Sequence, residues 1–154
     1  MIKILIPVDG SEQALLAVQH ALRLAEAGLK ARFLVANVQE SATLYEMVVA
    51  HDPVVLQEVS TGAGQDLMRS AVQRLRAAGA AVEQEVGSGD PAQVLVEIIE
   101  RHGCEAVIMC THGGGLRAAV MGSVSQAMVQ HSPVPVTLVR VSDDEDTPDE
   151  VDGE

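Results

Sequence analysis

Short aliphatic runs alternate with longer stretches of helical spacing along this chain. The runs are Ile2–Val8, Phe33–Val38, Val82–Val86, Ala106–Cys110 and Val134–Val141. Their length and β-branched content predict five strands. Between them, Leu15, Val18, Leu22 and Ala25 recur at helical intervals and stop at Gly28. Leu67, Ala71, Leu75 and Ala78 do the same ahead of Gly79. Val94, Leu95, Ile98 and Ile99 form a third stripe, opened by Asp90-Pro91 and closed by Gly103. An acidic N-cap, proline at the first helical position and a terminal glycine are the expected punctuation of a helix. A fourth helix is predicted from about Ala118 to Gln130, ahead of Ser132-Pro133.

Strand–helix alternation of this kind predicts an α/β fold. It is a three-layer α/β/α sandwich with four helices around a five-stranded, mostly parallel sheet. Val82–Val86 alternates apolar and polar residues, as an edge strand does. Pro135 has no N–H to give a ladder, which puts the last strand at an edge as well. The link from Gln39 to about Gln65, with Tyr45, Met47, His51 and Pro53, is the irregular part and has room for helix. Connections this long are commonly functional.

Composition narrows the function. The 154 residues suit one domain, and 47% of them are apolar. Phe33 and Tyr45 are the only aromatics. Eight of the 22 acidic residues lie beyond Ser142, where no Lys or Arg occurs. The formal charge of −12 is therefore lopsided: 14 acids against 10 bases leave −4 on residues 1–141. Residues 142–154 read as an acidic, disordered tail. Neither part has the basic surface or the aromatic platforms that nucleic acid requires. No apolar run is long enough for a membrane span. Pro7 and Asp9 break the N-terminal run, so it does not read as a signal peptide. Cys104 and Cys110 make no disulfide framework. A cytoplasmic protein is expected.

Candidate chemistry sits where strands end, because open α/β sheets bind ligands beyond the carboxyl ends of their strands. After the first strand come Pro7, Val8, Asp9, Gly10 and Ser11. Asp9 can accept a hydrogen bond from a ligand amino group, or it can serve the local turn. After the fourth strand come Thr111, His112, Gly113, Gly114 and Gly115, then Gly122, Ser123, Val124 and Ser125. Glycines let backbone N–H groups approach a ligand, and a helix start suits phosphate. There is no phosphate-binding G-x-x-x-x-G-K-[ST] loop. Cys110 and His112 are two potential ligands within three residues, which is no metal site. No base accompanies Ser123, so a nucleophilic hydrolase is not expected.

The segments Ile4–Ser11, Thr111-His112-Gly113, Gly122–Ser125 and His131–Val136, in this order, resemble the universal stress protein family. The resemblance covers residues 1 to about 141. It implies a sheet order of 3-2-1-4-5 and a regulatory, non-enzymatic dimer that binds ATP or a related adenine nucleotide, with Mg2+ or Mn2+ accompanying the phosphates. It assigns Asp9 to adenine, Val38 to the base or ribose, and Gly113 with Gly122-Ser123-Val124 to phosphates. It implies that the last strands, Val134 to Val141, pair across a two-fold axis. Nucleotide-binding members carry G-x-x-G-x9-G-[ST], and this chain departs twice. Cys110 replaces the first glycine, and eight residues rather than nine separate Gly113 from Gly122. These departures suit the alternative: a member of the same fold that binds no nucleotide and acts through protein partners.

Overall fold

The computed structural model of the chain describes residues 1–40, 53–111 and 121–140, with the backbone alone for 53–61. In chain order the elements are β1 (Ile2–Pro7), α1 (Ala14–Glu26), β2 (Ala31–Gln39), α2 (Pro53–Ala77) and β3 (Val82–Ser88). They continue with α3 (Pro91–His102), β4 (Ala106–Cys110), α4 (Ser123–His131) and β5 (Val136–Val139). The strands form one sheet in the order β3-β2-β1-β4-β5, and every neighbouring pair is parallel.

Side-chain alternation along the strands builds two cores. Ile4, Ile6, Phe33, Val35 and Ile108 face α1 and α2. Leu5, Leu34, Ala36, Val107 and Met109 face the other way, onto α3 and Met128 of α4. The central strands are apolar on both faces because both faces are covered. On α1 the buried positions are Ala14, Ala17, Val18 and Ala21, small side chains that let the helix sit close to the sheet. On α3 the Asp90 carboxylate accepts from Gln93 N at 3.1 Å, Pro91 occupies the first turn, and Gly103 closes the helix at φ 69°.

The long link holds the helix it has room for, and two boundaries differ from expectation. α2 starts at Pro53, so the later part of the long link is helical. α4 starts at Ser123, whereas Met121 and Gly122, placed inside the predicted helix, are not helical. Gly122 is extended, and its N–H donates to the Thr111 carbonyl at 2.8 Å. The chain is thus pinned to the end of β4 before a helix can begin. β5 starts at Val136 rather than Val134, because the Ser132 hydroxyl engages both the N–H and the carbonyl of Val134. Pro135 then precedes the ladder and contributes only its carbonyl, which accepts from Val107 N at 2.9 Å. Ala118, Val141 and the tail 142–154 lie outside the described residues. No described helix is long and apolar enough to cross a membrane.

The edge strand β3 carries Glu83, Gln84 and Glu85, polar residues that discourage pairing with another sheet. Lys3 Nζ lies 2.9 Å from Glu83 Oε1 and holds that carboxyl below its usual range. Glu85 bridges Arg101 and His102 at the end of α3, at 2.7 and 2.5 Å. Burial pushes the Cys104 thiol up, so it packs as a small neutral side chain.

One buried polar residue ties β1 to β2 where their ladder ends. Val8 N donates to Ala36 O at 2.9 Å, the last backbone bond of the pair. Beyond it the Asn37 side chain, in a residue only 3% exposed, donates to Val8 O at 2.9 Å. Gln39 Nε2 in turn donates to Asn37 Oδ1 at 2.6 Å. Asn37 therefore supplies a bond that the diverging backbones no longer make. Asn37→Leu is expected to cost about 1–3 kcal/mol in urea unfolding, because a buried carbonyl and amide lose their partner. For Glu83, a lowered folded pKa adds stability above the ordinary Glu range, and that stability disappears as pH falls through the lowered value. Acid titration of thermal stability should therefore be flatter below pH ~4.5 in Lys3→Met than in the unaltered chain.

Candidate functional site

Neighbouring strands send the chain in opposite directions at one end of the sheet. From β1 it turns to α1 on one face, and from adjacent β4 it leads to α4 on the other. A crevice must open between two such departures, beyond the carboxyl ends of the strands. The cleft there has a volume of about 240 Å3. Ala36, Val38, Leu95 and Met109 give it an apolar floor. Pro7, Val8 and Asp9 border it from β1, and Gly122 through Ser125 border it from α4.

The Asp9 wall is a sharp turn. Gly10 adopts φ +87°, a conformation that residues with a Cβ avoid. A Cβ added there would also stand 2.3 Å from Leu67 Cδ2 of α2, so the turn lies tight against that helix. Ser11 N and Ser11 Oγ both donate to Asp9 Oδ1, at 3.0 and 2.6 Å. Ser11 Oγ then accepts from Ala14 N at 3.2 Å, the first residue of α1. Asp9 is exposed at the cleft, and both of these bonds end on the same oxygen. Asp9 thus serves the local turn with Oδ1, while among the described residues Oδ2 accepts no bond. The two readings of this carboxylate, turn and ligand, use different atoms.

The opposite wall is the start of α4. Gly122 is its N-cap and no side chain caps it. The first intrahelical bond runs from Gln126 N to Gly122 O at 3.0 Å. The N–H groups of Ser123, Val124 and Ser125 precede it and have no intrahelical partner. They carry the partial positive charge of a helix N-terminus. Ser123 is exposed at the cleft, and its hydroxyl can join them. Ser125 borders the cleft too, but its hydroxyl is engaged within the fold. It is 2% exposed, and its hydroxyl contacts the carbonyls of Thr111 and Gly122, the latter at 3.0 Å. That hydroxyl fastens α4 to the end of β4 and does not project into the cleft as a phosphate donor.

Of the residues singled out in the sequence, Pro7, Val8, Asp9, Val38, Cys110, Gly122, Ser123, Val124 and Ser125 all border this one cleft. His112, Gly113, Gly114 and Gly115 lie outside the described residues. Cys110 is 8% exposed; alternation after Met109 sends its side chain toward the α1 face, with Ile108. It edges the cleft from that side, and Met109 forms the floor. Sequence reasoning missed Asn37 and Glu40, and it named Ser11 without its hold on Asp9. Asn37 was legible as the one polar residue inside the Phe33–Val38 run, and a polar residue in a buried strand needs a partner. Glu40, which borders the cleft beyond β2, carried no signal of its own. Among the described residues, no group of three His, Cys, Asp or Glu side chains converges to hold a metal.

Comparisons with known proteins agree with this geometry. The family model described as "Universal stress protein family" matches residues 1–140. A putative universal stress protein of Staphylococcus saprophyticus, SSP1056, is 32% identical over 143 residues, spanning 91% of this chain and 84% of that protein. The solved structure of hypothetical protein MJ0577 superposes with a TM-score of 0.75 at 26% identity, covering 92% of this chain and 96% of that one. A family member from Arabidopsis thaliana, solved with AMP bound, shares the fold with a TM-score of 0.66 at 19% identity, covering 97% of each chain. With its sheet order, its switch-point cleft and a family match over residues 1–140, the chain belongs to the universal stress protein family.

Proposed function

We propose that this chain is a regulatory protein that binds an adenine nucleotide, ATP or a close relative, in the cleft between β1 and β4. One observation carries the reading. A carboxylate with one oxygen uncommitted among the described residues faces the cleft from one wall, and uncapped helix amides face it from the other. An adenine amino group needs an acceptor and a phosphate needs donors, and the apolar floor between them suits a base. Val38 and Met109 supply that floor. AMP bound to a family member of the same fold makes adenine nucleotides the first ligands to test. A Mg2+ or Mn2+ ion would arrive on the phosphates. The role we assign to the chain is binding and signalling in the cytoplasm rather than turnover.

The reading includes a homodimer through β5. This strand ends the sheet and offers its outer backbone edge, and Val129 on neighbouring α4 is 53% exposed. A second copy that adds its own β5 satisfies both features.

Two measurements test these statements. Isothermal titration with ATP and with AMP is expected to give saturable binding, weakened about tenfold or more in Asp9→Ala. Absence of heat at millimolar nucleotide contradicts the reading. In sedimentation equilibrium the chain is expected as a dimer. Thr137→Asp, which brings like charges together near the middle of β5, is expected to shift it toward monomer. A chain that is already monomeric at high micromolar concentration contradicts the dimer.

A further inference from the structure

We infer that Ser11, which does not line the cleft, is the positioning residue that lets Asp9 choose between bases. The inference rests on the reading of the cleft as an adenine-nucleotide site. Half-buried Ser11 holds Asp9 Oδ1 twice, through its N–H at 3.0 Å and its hydroxyl at 2.6 Å. The same hydroxyl accepts from Ala14 N, which anchors it to the start of α1. The carboxylate plane is thereby fixed, although the terminal torsion of an aspartate is otherwise broad. On the other side, Asn37 holds the carbonyl of Val8, the residue before Asp9. The turn is clamped from both directions, and Oδ2 is offered to the cleft at one place only.

That fixed placement has a chemical consequence. Adenine carries its donor as an exocyclic amino group at C6. Hypoxanthine carries a carbonyl oxygen there, and its donor moves to ring N1. A pinned oxygen set opposite an amino group meets the hypoxanthine oxygen as a like partial charge. A carboxylate free to rotate can follow the donor to N1 and accept from either base. Selection between the two bases therefore depends on the Ser11 hydroxyl and not on Asp9 alone. A site built around one polar group of the ligand rejects the analogue that lacks it.

The test measures affinities for two pairs, ATP with ITP and AMP with IMP, on the full chain and on two variants whose fold is checked by circular dichroism. The unaltered chain is expected to favour the adenine member of a pair about tenfold. Ser11→Ala, a substitution in a surface turn, is expected to bring that ratio to within about threefold. Ser11→Thr keeps the hydroxyl and is expected to restore the ratio. A purely structural role weakens both members of a pair equally. An unchanged ratio in Ser11→Ala, or no base preference in the unaltered chain, overturns the inference and leaves the nucleotide cleft standing. No binding of any of the four nucleotides by the unaltered chain overturns the reading of the cleft itself.

Discussion

The arrangement depends on β1 lying between β2 and β4 while feeding a helix on the opposite face from the one β4 feeds. Parallel strands with short crossovers leave their carboxyl ends together, and a reversal of winding direction there leaves a gap that no backbone fills. Everything placed at the end of β1 or β4 must then border that gap. Asp9 and the start of α4 are far apart in sequence, yet the topology alone makes them opposite walls. The side chains only decide what such a gap can hold.

Here they decide it by dividing labour between atoms. Ala36, Val38, Leu95 and Met109 give the gap an apolar floor, the kind of surface that a planar base would cover. Asp9 gives one oxygen to its own turn and presents the other. Ser125 hands its hydroxyl to the carbonyls of Thr111 and Gly122, which locks α4 against β4 and leaves the helix amides uncapped. Asn37 repairs the end of the β1–β2 ladder. The polar groups that stiffen the rim are thus different from those that face the cleft, and preorganisation of this kind lowers the ordering cost of binding.

Much of this was legible in the sequence, for reasons that differ by element. The buried strands read cleanly because both of their faces are apolar, and α3 read cleanly because Asp90, Pro91 and Gly103 act locally. Asp9 and the Gly122–Ser125 segment were found from position, since strand ends are where ligands go. The start of α4 was misplaced because a long-range bond, Gly122 N to Thr111 O, overrides local helical preference. The part Ser125 plays in fastening α4 was hidden for the same reason, as its acceptor on Thr111 is invisible to spacing. That Asn37 needs a partner was legible, but the identity of its partner, and that of Ser11, follow only from the fold, because both residues act by holding a neighbour.

The central claim is that a ligand touches both walls at once. Amide chemical shifts of the 15N-labelled chain, followed during titration with ATP, test it most directly. The account predicts joint, saturable shifts at Asp9 to Ser11, at Val38 and at Ser123 to Ser125. Shifts confined to one wall, or none in either segment while others move, contradict it.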